Sequence, residues 1–242
     1  MKERFWEIDA LRGIAVCLMV LFHFLFDLNY FRGLSFDLSF GLWLFVGRSS
    51  ALLFLLLVGI SLTLSNANAL QDRLSGKERF WKFLKRGFGV FCLGLLVTAV
   101  TFLLFPQETI WFGVLHLIGV SIIIAFPFLK FKRLNIALGI LVIIAGLLLW
   151  NLSFGFAWLL PFGFQPDGFV SFDYFPIFPS FGMILLGIAL GNWLYAGGKR
   201  SFRLLSLENS NVSKLLAFFG RNSLIIYLLH QPVIIGFLLF LA

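Results

Sequence analysis

Long apolar runs divide this chain, and they leave it almost no choice of secondary structure. A bilayer core is crossed by about 20 residues of helix. In hydrocarbon every backbone N–H and C=O must be satisfied within the protein, which a helix does along its own length. Hydrophobic residues make up 60% of the chain and charged residues 12%, with mean hydropathy +0.99. A soluble domain carries about twice that charged fraction. The expected fold is therefore all-α, a polytopic membrane helix bundle of about seven transmembrane helices forming a single domain over residues 1–242.

The runs predict helices over about 9–30, 39–65, 80–105, 110–129, 134–152, 174–196 and 212–241. Basic residues alternate between the connecting segments. Lys2 and Arg4 lead, Arg73 to Arg86 fill the second loop, Lys130 to Arg133 the fourth, and Lys199 to Lys214 the sixth. The other loops carry Asp37, Glu108, Asp167 and Asp173, with Arg32 the one basic residue. The positive-inside rule then places the N-terminus in the cytoplasm and the C-terminus outside. It also accounts for the net charge of +8 as a topology signal and an attraction to anionic membrane lipids, with no nucleic-acid partner. The first run is too long for a signal peptide and holds charges, so it reads as a retained helix in a multi-pass protein of the cell membrane. Cys17 and Cys92 read as buried free thiols. The segment 153–173, with Trp158, Pro161, Gly163, Pro166 and Gly168, reads as an aromatic belt at the interface, with a lid as the functional alternative.

Polar residues inside these spans mark the candidate site, because each charged side chain costs about 2.5–3.5 kcal/mol at a helix centre on insertion scales. All three histidines, His23, His116 and His230, fall in predicted helices, as do Arg12, Asp27 and Arg48. By helix rise His23 stands about 21 Å beyond Asp9. His23 and Asp27 are spaced i, i+4 and share a face, the arrangement of a base oriented by a carboxylate. The same spacing also suits two polar groups that merely satisfy each other. Arg48, followed by Ser49 and Ser50, reads either as an oxyanion donor or as a hydrogen-bond hub. His116 and His230 read as site residues or as interhelical glue. Tyr227 and His230 share a face at i, i+3. Three buried histidines also admit a b-type haem protein, and intramembrane charge admits a transporter or a structural bundle. No metal site is expected.

Four stretches occur together in order: Arg4 to His23 (RFWEIDALRGIAVCLMVLFH), Leu42 to Ser65 around Gly47-Arg48-Ser49-Ser50, Trp111 to Ser121 (WFGVLHLIGVS), and Phe219 to Pro232 (FGRNSLIIYLLHQP). Together they resemble the catalytic region of the heparan-alpha-glucosaminide N-acetyltransferase family, most closely its short prokaryotic members. The first helix is also similar to that of the acyltransferase-3 group, with its Asp-x-x-Arg-Gly…His pattern. The resemblance implies a membrane acyltransferase that takes an acyl group, normally acetyl, from cytoplasmic acetyl-CoA. The acceptor would be an amine or hydroxyl of an extracytoplasmic glycan or lipid head group. It implies His23 as general base oriented by Asp27, with Arg48 at the oxyanion. It further implies coenzyme phosphates on Arg12, Lys82, Lys85, Arg86 and Arg221, and an acceptor pocket of His116, Asn222, Ser223, Tyr227 and His230. A homodimer is an admissible assembly. The chain departs from the lysosomal enzymes in two ways: they carry Asn where this chain has His23, and their active histidine lies in the loop after the first helix. Here that loop, Asn29 to Ser35, has no histidine. The assignment to His23 therefore follows the acyltransferase-3 pattern.

Overall fold

The computed structural model describes residues 4–150, 152–204 and 207–240. Among them lie eight α-helices: α1 (Trp6–Arg32), α2 (Gly41–Gln71), α3 (Gly76–Leu104), α4 (Val114–Ile124), α5 (Arg133–Leu149), α6 (Ile177–Leu194), α7 (Asn211–Arg221) and α8 (Ser223–Phe240). Among the described residues the only strands are two-residue pieces, β1 (Ser153–Phe154) and β2 (Gln165–Pro166), paired in parallel. The all-α expectation holds. Five helices, α1, α2, α3, α6 and α8, are long and apolar enough to cross a membrane, whereas α4 and α5 are shorter apolar helices of 11 and 17 residues.

The largest departure from the sequence pattern is at the C-terminal end. The apolar run 212–241 is two helices, broken at Asn222. There the backbone leaves helical geometry, and the Asn222 amide donates to the Phe218 carbonyl, closing the end of α7. Side-chain bonds of this kind are how Asn competes with helix propagation.

The chain packs as two compact units, one formed by the residues up to Leu57 and from Arg203 onward, the other by Val58–Phe202. In the first unit α7 and α8 both lie along α1. Gly220 of α7 meets the Asp9 carbonyl, and Leu216 meets Gly13, so α7 runs antiparallel to α1. A Cβ on either glycine would fall onto backbone atoms, so the approach requires glycine on both sides. The first part of α2 also docks on α1: Ser50 Oγ donates to the Ala15 carbonyl at 2.8 Å, and Gly47 faces the Phe22 ring. The α1 helix ends at Gly33, whose left-handed backbone (φ 67°) returns two N–H groups to Asn29 and Leu28.

In the second unit α3 packs along α4, and α5 along α6. Its core includes Phe83, Leu117, Ile122, Ile184, Leu185 and Ile188, all essentially inaccessible. The α3 start is closed by a reciprocal cap in which Glu78 N–H donates to Ser75 Oγ and Ser75 N–H donates to Glu78 Oε2. The segment between α5 and α6 is tied to the residues before α4 by Phe172 N–H to Glu108 and Phe175 N–H to Phe112. Tyr174 donates to the Leu160 carbonyl at 2.7 Å within the same segment.

Candidate functional site

Two imidazoles meet between α1 and α8. The rings of His23 and His230 stand edge to face with centroids 4.9 Å apart. Each is anchored to its own helix, His23 Nδ1 to the Met19 carbonyl at 2.9 Å and His230 Nδ1 to the Tyr227 carbonyl at 2.6 Å. A carbonyl only accepts, so both Nδ1 atoms carry hydrogen. In a neutral ring the lone pair is then on Nε2. His230 Nε2 is buried without a hydrogen-bond partner. Each imidazole is therefore held through Nδ1–H by the backbone of its own helix.

Around this pair other acceptors converge. Asp27 is buried one turn beyond His23, and Gln231 follows His230 on α8. The side chains of Asp27 and Gln231 are joined by a hydrogen bond, yet Asp27 Oδ2 and Gln231 Oε1 are both buried and unpartnered. At the far end of the two helices Arg32 donates to the Leu238 carbonyl at 2.6 Å, so α8 runs parallel to α1. The expected bond from Asp27 to His23 does not form among the described residues. The Met19 carbonyl fixes the imidazole instead, because a helix places its i−4 carbonyl within reach of Nδ1. Gln231 was missed by sequence reasoning, although a polar residue next to His230 in an apolar run was a legible signal.

The near end of α1 carries an ionic cluster. Asp9 accepts from Arg4 Nε and from Arg12 Nη1, each at 3.0 Å, and Arg12 also reaches the Gly220 carbonyl at 3.5 Å. The Asp9 side chain is 8% exposed, Arg12 20% and Arg4 68%. Arg12, expected at a phosphate, thus ties Asp9 to the end of α7. Arg221 is exposed at that end, Asn222 closes α7, Ser223 is buried, and Tyr227 sits against His230 with ring centroids 5.6 Å apart. Arg48 is exposed on α2, and no described group takes its N–H donors; the polar contact to α1 is made by Ser50.

The remaining predicted residues belong to the second unit. His116 is 2% exposed at the start of α4. Its Nδ1 accepts the Gly113 N–H at 3.2 Å. Thr98 Oγ1 donates to the Ile110 carbonyl, so it accepts from His116 Nε2–H at 3.3 Å. The neighbouring Val114 N–H donates to Asp173. Phe91 and Phe112 flank the ring, and Gly94 leaves room for it. Nδ1 is therefore spent on capping α4, and Nε2 on a bond to α3. On α3, Lys77, Trp81, Lys82 and Lys85 line an open groove of about 440 Å³ with Leu74 and Glu78, and Arg86 follows on the same helix. Lys77 and Trp81 add to the predicted cations at i, i+4 spacing.

A family model described as heparan-alpha-glucosaminide N-acetyltransferase, catalytic, matches residues 4–232. The chain belongs to this family. The match begins at Arg4, the outer cation on Asp9, and ends at Pro232, just past His230 and Gln231. No curated protein and no solved structure matches the chain. The heparan-alpha-glucosaminide N-acetyltransferase family brings with it a membrane acetyltransferase-like function, in agreement with five apolar helices of spanning length.

Proposed function

We propose that the chain transfers an acetyl group from acetyl-CoA to an amine or hydroxyl of a glycan or lipid head group outside the cytoplasm, with His23 as general base. The observation that carries this reading is the imidazole pair, in which backbone carbonyls hold Nδ1 and direct the basic Nε2 atoms away from their own helices. His23 is only partly buried, whereas His230 is closed off. In the transfer His23 Nε2 takes the proton of the attacking N–H or O–H. The new bond forms to the thioester carbonyl carbon, the C–S bond breaks, and the departing thiolate accepts the proton. Arg48 has N–H donors that no described group takes, suited to the oxyanion. His230 stands against the base, Asp27 lies one turn along α1 from it, Tyr227 sits against His230, Ser223 opens α8, and Asn222 sets the turn into it.

For the donor, the groove of Lys77, Trp81, Lys82 and Lys85, followed by Arg86, has the chemistry of a phosphate site: clustered ammonium groups beside an indole face that stacks on a base. In the other unit Arg221, exposed at the end of α7, is a separate cation suited to phosphate, whereas Arg12 is taken by Asp9. The reading also speaks against haem between the two imidazoles in ring contact, since no porphyrin fits between rings 4.9 Å apart.

The test is acetyl-CoA binding to detergent-purified protein by calorimetry, with coenzyme A as comparison and the Lys82, Lys85 and Arg86 triple alanine variant as control. Saturable binding that the triple variant loses is the expected result, followed by acetyl transfer to an acceptor panel that His23→Ala abolishes. A folded sample that binds no acyl-CoA overturns the donor assignment. Full transfer by His23→Ala removes the base assignment.

A further inference from the structure

Asp27 and Gln231 present a hydrogen-bond deficit that one proton resolves. Asp27 is 3% exposed in the interior of an apolar bundle. An ionised carboxylate in such a place needs a cation or several donors. Among the described residues no cation pairs with it. Arg32, the next cation along α1, donates to the Leu238 carbonyl. The two imidazoles nearby, His23 on its own helix and His230 on α8, spend their Nδ1 hydrogens on Met19 and Tyr227. Among the described residues the bond to Gln231 is the one recorded for Asp27, and it leaves Asp27 Oδ2 and Gln231 Oε1 buried and unsatisfied on the two groups already joined.

We propose that Asp27 is held as the neutral acid and closes a ring of two hydrogen bonds with Gln231. The Gln231 N–H donates to one Asp27 oxygen, and the Asp27 O–H donates to Gln231 Oε1. Both orphaned oxygens are then satisfied by a single proton, and no charge is buried. The ring ties α1 to α8 one residue from His230 and one turn from His23, so Gln231 is a positioning residue that fixes the register of the imidazole pair. This goes beyond the transferase reading and requires no substrate.

Infrared difference spectroscopy of the purified chain tests it without an activity assay. The wild-type minus Asp27→Asn spectrum is expected to contain a carboxylic acid C=O band that shifts in D2O. In Gln231→Leu that band moves to higher frequency as its hydrogen bond is lost. A difference spectrum holding only ionised carboxylate bands overturns the neutral acid. A C=O band left unmoved by Gln231→Leu overturns the ring. Thermal unfolding gives an independent reading. Asp27→Asn preserves a two-bond ring, amide to amide, and should unfold at the wild-type temperature, while Asp27→Leu should fall by several degrees. An Asp27→Asn variant as destabilised as Asp27→Leu overturns the proposal.

Discussion

His23 of α1 and His230 of α8 meet edge to face, 4.9 Å between ring centroids, each with Nδ1 bound to a carbonyl of its own helix. Two helices that run parallel thus bring two imidazoles into contact, and neither Nδ1 bond depends on a side chain. If His23 is the base, His23→Ala lowers turnover by about 10²–10⁴-fold, the usual worth of general-base catalysis. His230→Ala should lower it less, and the double variant should cost little more than His23→Ala, because groups acting as a unit are not additive. Steady-state acetyl transfer per folded molecule is the measurement.

Asp9 should be a much larger stability determinant than Arg4. Removing the buried acid by Asp9→Ala takes away the carboxylate that Arg12 pairs with, and breaking such a pair costs about 3–5 kcal/mol. Arg4 is mostly exposed, so Arg4→Ala should stay within about 0.5 kcal/mol of wild type. Thermal unfolding of the two variants side by side decides it.

Gly220→Leu should disrupt the seating of α7 on α1, since the added side chain has only Asp9 and Gly13 backbone to occupy. Overpacking of this kind costs about 1–3 kcal/mol, more where backbone must move. The expected readout is faster proteolysis around residues 207–222 at unchanged helix content in the rest of the chain. Equal protease resistance would mean that α7 tolerates displacement.

His116 offers a separation of structure from chemistry. Its Nδ1 caps α4 and its Nε2–H donates to Thr98 on α3, so His116→Leu leaves the Gly113 N–H buried and unpaired at about 1–3 kcal/mol. Turnover per folded molecule should remain near wild type. A collapse of turnover at unchanged stability would make His116 part of the acceptor pocket.

Tyr174 provides the pH test. Burial pushes its phenol above the ordinary tyrosine value of about 10. A raised folded value means that its contribution is fully present below the unfolded value and is lost as pH rises through the folded one. Ultraviolet titration should find one tyrosine ionising late, and Tyr174→Phe should remove that phase. The phenylalanine variant should also lose about 1 kcal/mol with the bond to Leu160.

Much of the architecture was legible in the residues. Apolar length dictated helices, and the polar intrusions His23, Asp27, Arg48 and His230 lie in them as expected. The start of α3 was missed: the hydropathy pattern placed it at about residue 80, whereas the reciprocal Ser75–Glu78 cap starts the helix at Gly76. The break at Asn222 was hidden because flanking residues on both sides are apolar, and hydropathy does not register a change of direction. The predicted His23–Asp27 pair failed for a related reason. Spacing of i, i+4 says that two side chains share a face, not which of several acceptors a ring nitrogen selects.

The sequence by itself determined that this chain is helical and apolar enough for a membrane, and which family it resembles, because those properties depend on composition, local spacing and motif order. Only the tertiary structure decided that His230 stands against His23, that Gln231 answers Asp27, and that His116 joins the start of α4 to Thr98 of α3. Those relationships join residues up to 207 positions apart, His23 to His230 (230 − 23), and they depend on how helix faces dock. Docking is set by close contacts such as Gly220 on Asp9, a geometry that no periodicity along the chain encodes.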